Sequence, residues 1–269
     1  AAIWGTEISE RPGRDTTAIL AAAAAGELPA LLVGGVDLDD LPDPDLARKA
    51  LQAAGFVVSL ELRHSSVTEY ADVVLPVAPT VNKAGSFVNW EGRHRPFEQA
   101  IPDSTLPDSR VLDTLAAEMD AFLGLATVEQ IRAEQANLPA AGGPAEMPDY
   151  PAAPIPTPQV GEAVLATWHH LLDSGVLQDG EKHLAGTARK ARALLSAATA
   201  AEIGAVEGDA VAVSTEHGRI TLPLLISDLP DRVVWLPTNS AGSAVRSSLR
   251  VDSGALVRIS TEKKSGETL

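Results

Sequence analysis

The chain has 269 residues, 45% of them hydrophobic but only 4% aromatic, so its core has to be built from Ala, Val and Leu. The formal net charge is -15, and it is uneven: residues 1–150 hold 23 acidic and 10 basic side chains, residues 151–269 hold 13 and 11. Such a field repels phosphate backbones, which argues against nucleic acid as a partner. With no cysteine, disulfides, cysteine-held iron–sulfur clusters and thiolate zinc sites are excluded within this chain. No apolar run approaches the ~18 residues that span a bilayer, so direct membrane insertion is not expected.

In chain order, residues 1–13 read as loop, with Trp4 a possible anchor. Asp15 or Thr16 is placed to cap a helix that stops at the Gly26–Pro29 breaker. Ala30–Val33 reads as a short buried strand closed by Gly34-Gly35. Asp43 is a plausible N-cap with Pro44 as first helical residue, and that helix stops at Gly55. Phe56–Glu61 is a second strand and Ser65–Glu69 a helical turn. The apolar run Asp72–Val77 predicts a strand buried on both faces, ending at or just before Pro76, which has no N–H for the ladder. Strand, helix, strand, turn, strand is the pattern of a parallel sheet with crossover connections.

The string Gly85-Ser86-Phe87-Val88-Asn89-Trp90-Glu91-Gly92-Arg93 predicts a tight loop at the carboxyl end of a strand, where open α/β sheets bind ligands. It can equally be held internally, by a Glu91–Arg93 pair or an Asn89–backbone bond. Arg93-His94-Arg95 is the main basic point of an acidic half and reads either as a solvated loop or, with Trp90 beside it as an aromatic anchor, as a contact patch for an acidic neighbour subunit. Apolar spacing at Val111, Leu112, Leu115, Met119 and Phe122 predicts a helix over Asp108–Phe122, capped by Asp108 or Ser109, and a shorter one follows over Thr127–Gln135.

Proline and glycine crowd Leu138–Pro158, predicting an extended connector and dividing the chain into 1–138, a linker at 139–158 and 159–269. Short strands follow at Ala163–Trp168, Ala210–Ser214, Ile220–Ile226, Val233–Leu236 and Ala255–Ser260, with a helix at Ala197–Ile203 and a turn at His217-Gly218.

The run from Ala71 to Arg93, with its Leu75-Pro76 and its Asn89…Glu91-Gly92-Arg93, resembles the late part of the molybdopterin oxidoreductase domain. The tryptophan before Glu91 resembles the version in the G-subunit family of bacterial NADH-quinone oxidoreductase (complex I), as do Leu184–Arg189 and Val234–Ser240. One position departs: where that superfamily often has glutamate, three residues before Gly85, this chain has Asn82. The resemblance implies a partial Rossmann-like α/β domain followed by a double-psi β-barrel of the molybdopterin-dinucleotide-binding kind. It implies a scaffold within a respiratory complex that carries electrons from NADH to quinone, cytoplasmic and peripheral to the inner membrane. The iron–sulfur clusters would lie in an upstream part of the same polypeptide, and the other subunits would be its partners. The chain lacks an initiator Met and reads as a cut-out of a longer polypeptide.

No catalytic, cofactor-binding or metal residue is expected. Gly34-Gly35 could cradle a phosphate, but five aspartates stand in the next eleven residues. Asp37, Asp39, Asp40, Asp43 and Asp45 lack the glycine and glutamate of a calcium loop and read as negative charge gathered at a helix start. His169 and His170 are adjacent and on a strand would face opposite sides. Gly242, Ser243, Asn239 and Arg246 match barrel loops that hold a guanine nucleotide in catalytic relatives, without being enough to claim one here. Two other readings are the C-terminal part of an active molybdopterin oxidoreductase, of formate dehydrogenase or nitrate reductase type, and a free-standing nucleotide sensor.

Overall fold

The computed structural model describes residues 3–9, 11–138 and 156–262. Residues 139–155, most of the expected connector, lie outside that set. The chain divides into two compact units, one of 1–36 and 48–149, the other of 37–47 and 150–269.

In the first unit, α1 (Thr16–Ala24) is capped by Asp15, whose carboxylate accepts from Ala18 N–H. Strands β1 (Ala30–Gly34), β2 (Phe56–Glu61) and β3 (Val73–Pro76) form a parallel sheet in the order β1-β2-β3. Helix α2 (Pro44–Ala53), whose residues up to Ala47 group with the second unit, precedes β2, its start fixed by Asp43 accepting from Leu46 N–H. The third strand stops at Pro76, as the missing N–H requires.

Two expectations fail in this sheet. Strand β3 is not buried on both faces, since Val73 and Val74 are 38% and 41% exposed, and Leu32 of β1 is 54% exposed. Both are edge strands among the described residues, and only β2 between them has neighbours on both sides. An apolar run reports fitness for burial, and cannot say whether a layer covers it. The covered face carries Leu60 and Val77 against Val111 of α3 (Asp108–Glu118). That helix is shorter than expected: it ends where Met119 and then Asp120, at φ 59°, leave the helical region, so Phe122 stands in solvent. Its N-cap is Pro107, without a side-chain cap, in place of Asp108 or Ser109. Asp108 instead pairs with Lys83 Nζ at 2.6 Å. Helix α4 (Val128–Ala136) starts on a capping box between Thr127 and Gln130, and Trp4 Nε1 donates to its Glu134.

The stretch expected to be a loop is a β-hairpin of β4 (Gly85–Val88) and β5 (His94–Phe97), with Phe87 opposite Arg95 and Gly85 opposite Phe97. The Phe87 and Phe97 rings stack at 4.9 Å over Gly85. A Cβ at residue 85 would meet the Phe97 ring at 2.8 Å, so the stack requires glycine there.

The second unit is a closed six-stranded barrel: β6 (Glu162–Trp168), β7 (Ala193–Leu195), β8 (Ala210–Ser214), β9 (Arg219–Ile226), β10 (Val233–Pro237) and β13 (Leu256–Glu262), in the ring order β10-β6-β13-β8-β9-β7. Between β10 and β13 lie the two-residue strands β11 (Asn239–Ser240) and β12 (Ser243–Ala244). The barrel has an internal two-fold relation. Replacing its first three strands by its last three, in chain order, reverses the ring and leaves every neighbour unchanged. The two parallel pairs, β6·β10 and β7·β9, exchange with each other, as do the antiparallel pairs β6·β13 and β8·β9. This is the double-psi arrangement. Alternate residues point inward, among them Leu165, Leu195, Val213, Leu224 and Leu236, all fully buried. Short helices α5 (Lys182–Ala185), α6 (Ala197–Glu202) and α7 (Val245–Leu249) fill the connections. Ser196 caps α6 and also donates to Asp231 at 2.6 Å. Arg232, at φ 56°, holds Glu202 and the Pro158 carbonyl, and the Glu202 hydrogen bond raises its pKa further.

Candidate functional site

Two places carry the residues singled out by sequence. The first is the β4–β5 turn. Asn89 Oδ1 accepts from the backbone N–H groups of Glu91 (3.1 Å) and Arg93 (2.9 Å), and Gly92 takes φ 77° to close the turn. Glu91 and Arg93 pair at 2.9 Å. The loop is thus held by its own polar groups. What it presents outward is apolar and basic: Trp90 is 93% exposed, with Phe87, Val88, His94 and Arg95 exposed beside it. The hairpin brings Arg95 across from Phe87 and His94 across from Val88, a mixed surface that sequence spacing alone does not reveal. Asn82, at the position of the superfamily's glutamate, is buried and structural. Its Nδ2 donates to the Ile101 carbonyl and to Asp103, both at 3.3 Å, and a carboxylate could make neither bond.

The second place is the mouth of the barrel beside α7. Ser174, Thr238, Asn239, Ala244, Arg246 and Ser247 line one side of a cavity of about 130 Å³, and Asp37, Asp39 and Asp40 line the other. Arg246 donates through Nη1 to the Asp40 carbonyl and through Nε to Asp252 at 3.0 Å. Arg250, in the left-handed region at φ 54°, pairs with the Asp45 carboxylate. Desolvation in the cleft, with Asp37 adding to it, pushes the Asp40 carboxyl above its ordinary 3.8, against the pull of Arg246. Ser243 Oγ donates to the Pro237 carbonyl, and Gly242 sits at φ 82° in the β11–β12 turn. The part played by Arg250, Asp45 and Ser174 is not legible in sequence, because the partners of the two arginines lie more than 200 residues upstream.

The other candidates are spent locally. Gly35 N–H donates to the Leu60 carbonyl at 3.2 Å, so it is not aimed at a phosphate. Asp37 caps a 3-10 turn and Asp43 caps α2, which accounts for two of the five aspartates as helix starts. His169 and His170 follow the end of β6; His169 lies against Trp168, and His170 lies against Trp235 within 3.3 Å of Ser240 Oγ. Among the described residues no group of three or more His, Cys, Asp or Glu is placed to hold a metal ion.

Comparison with known proteins gives two family matches, molybdopterin oxidoreductase over residues 4–105 and molydopterin dinucleotide binding domain over residues 168–268. The chain is 57% identical over 258 residues to the NADH-quinone oxidoreductase G subunit of Mycobacterium tuberculosis, and 54% identical over 274 residues to that of Streptomyces coelicolor. These alignments take in 94% and 99% of this chain and 32% of each relative. Nearly the whole chain is thus similar to part of these G subunits, and its two family matches are both of the molybdopterin oxidoreductase kind. It spans about a third of the length of these relatives. Among solved structures, acetylene hydratase from Pelobacter acetylenicus superposes with a TM-score of 0.57 at 16% identity, over 91% of this chain and 46% of that one, which speaks for the fold alone.

The dinucleotide-binding match over residues 168–268 raises the question of a pterin dinucleotide at the barrel mouth. The residues there do not fit one. The cavity is about 130 Å³, well under the ~300 Å³ at which small-molecule sites begin. Arg246, the cation that lines it, is already engaged by the chain, and three aspartates face the space that a diphosphate would need.

Proposed function

We propose that this chain is the C-terminal part of the large peripheral-arm subunit of a respiratory NADH:quinone oxidoreductase, and that it serves as a scaffold. Electrons would pass from NADH to quinone through iron–sulfur clusters held elsewhere in the same polypeptide, since a chain without cysteine offers no thiolate for them. The observation that carries this reading is the 57% identity extending over 94% of the chain. No catalytic, cofactor-binding or metal residue is assigned to the chain under this proposal. Among the described residues no helix is long and apolar enough to cross a membrane, in keeping with a place beside the inner membrane within a larger complex.

The contact that this scaffold offers is the β4–β5 hairpin. An exposed Trp90 with His94 and Arg95 suits an acidic surface on a neighbouring subunit, as Trp and Arg dominate interface energetics. The test is to introduce Trp90→Ala with Arg95→Glu into the whole complex. Loss of at least about 2 kcal/mol, roughly thirtyfold in affinity, is expected, seen as subunits missing after purification. A complex of unchanged composition and unchanged NADH:quinone activity would reject the hairpin as a contact.

The second reading, part of an active molybdopterin oxidoreductase, draws on the dinucleotide-binding family match. Stoichiometric molybdenum in the full-length protein would favour it.

A further inference from the structure

We infer that the acidic segment Asp37–Asp45 is an internal strap that closes the barrel mouth to anionic dinucleotides, with its own oxygen atoms taking the places on the α7 arginines that a ligand's phosphates would otherwise take.

Three observations converge on this. First, the segment groups with the barrel unit rather than with the unit that precedes and follows it in sequence. Second, it is fastened to α7 at two points: Arg246 holds the Asp40 carbonyl, and Arg250 holds the Asp45 carboxylate. Both arginines stand on or next to a helix whose Val245 and Leu249 are fully buried, so their backbone is fixed. Third, three aspartates of the segment, Asp37, Asp39 and Asp40, line the cavity it closes. An arginine guanidinium beside hydroxyl and amide groups is a ready anion site, and here Ser174, Thr238, Asn239 and Ser247 supply those groups. The strap both occupies the guanidinium and lines the remaining space with like charge to any phosphate. The barrel keeps the donors of a nucleotide site, and the strap cancels them.

Charge is what separates such a strap from ordinary packing. Replacing Asp37, Asp39 and Asp40 by asparagine keeps the size of the segment and the side-chain oxygen by which Asp37 accepts from Asp39 N–H. It removes the negative charge that faces an incoming phosphate, together with the attraction of Arg246 for the Asp40 carboxylate. The experiment is calorimetric titration of the 269-residue chain with guanosine diphosphate, and separately with inorganic pyrophosphate. The wild-type chain is expected to give no saturable binding. The D37N/D39N/D40N variant is expected to gain affinity by at least about tenfold, and adding Arg246→Ala is expected to remove that gain. Should the triple variant not fold, the D39N/D40N pair carries the same test. In parallel, Arg246→Ala in the wild-type background should speed amide exchange over residues 38–41, the readout of a strap let loose. Tight nucleotide binding by the wild-type chain would overturn the inference. So would a folded, neutralised variant that gains nothing, or a strap whose exchange is indifferent to Arg246.

Discussion

Gly218, in the turn between β8 and β9, offers the sharpest test of how the barrel is closed. A Cβ added there would stand 2.3 Å from the backbone oxygen of Ser248, a contact that no side-chain rotation relieves. Ser248 is in α7, pinned by buried Val245 and Leu249 and by Thr215 Oγ1, which donates to the Leu249 carbonyl at 2.8 Å. The turn itself is fixed by Thr215 N–H donating to the Gly218 carbonyl at 2.9 Å. Neither side can yield without disturbing the core, so Gly218→Ala should cost about 1–3 kcal/mol, the usual range for overpacking. For a unit between the small and large domain classes each kcal/mol lowers Tm by roughly 4 °C, so a fall of roughly 4–12 °C is expected by circular dichroism. Gly13→Ala is the control, since a Cβ there meets nothing within 4 Å. It should change stability by less than about 0.5 kcal/mol. Equal Tm values for the two variants would refute the close approach of α7 to the turn.

Leu236→Ala removes a fully buried barrel side chain and should destabilise by about 3–5 kcal/mol in urea unfolding, against near silence for an exposed site. At the hairpin tip, Asn89→Ala loses two backbone hydrogen bonds and should raise amide exchange at Glu91 and Arg93, whereas Asn89→Asp keeps the acceptor and should leave both protected. Asp40 has a folded-state pKa above its ordinary 3.8, so the folded state holds that proton more tightly than the unfolded state does. Stability then falls as pH rises through this window, and Asp40→Asn should be more stable than wild type near neutral pH, with the advantage shrinking as pH drops below the ordinary carboxylate range. Urea denaturation across that range, giving a difference that does not change with pH, would remove the carboxyl of Asp40 as the cause.

Much of the fold is legible because its local signals are strong. Asp15, Asp43 and Thr127 read as helix starts or stand at predicted helix ends, and each cap is made. Five of the six barrel strands show themselves as short apolar alternations between turn residues. The sixth, Ala193–Leu195, has three residues and no alternation long enough to count, yet it closes the ring between β9 and β10. The hairpin is hidden by Pro96 and by the polar density around Asn89. Edge exposure of β3 and β1 is hidden too, since apolar strands look alike with or without a covering layer. At the candidate sites, the inward hold of the Trp90 loop by Asn89 and Glu91 is readable from spacing. The Arg246–Asp40 and Arg250–Asp45 links are not, as nothing local ties an arginine to an aspartate about two hundred residues away.

The central claim, a scaffold of the complex I kind without a pterin of its own, is tested most directly by elemental and nucleotide analysis of the native full-length protein. Molybdenum and guanine nucleotide are expected far below one per polypeptide. One equivalent of each, released together on denaturation, would contradict it.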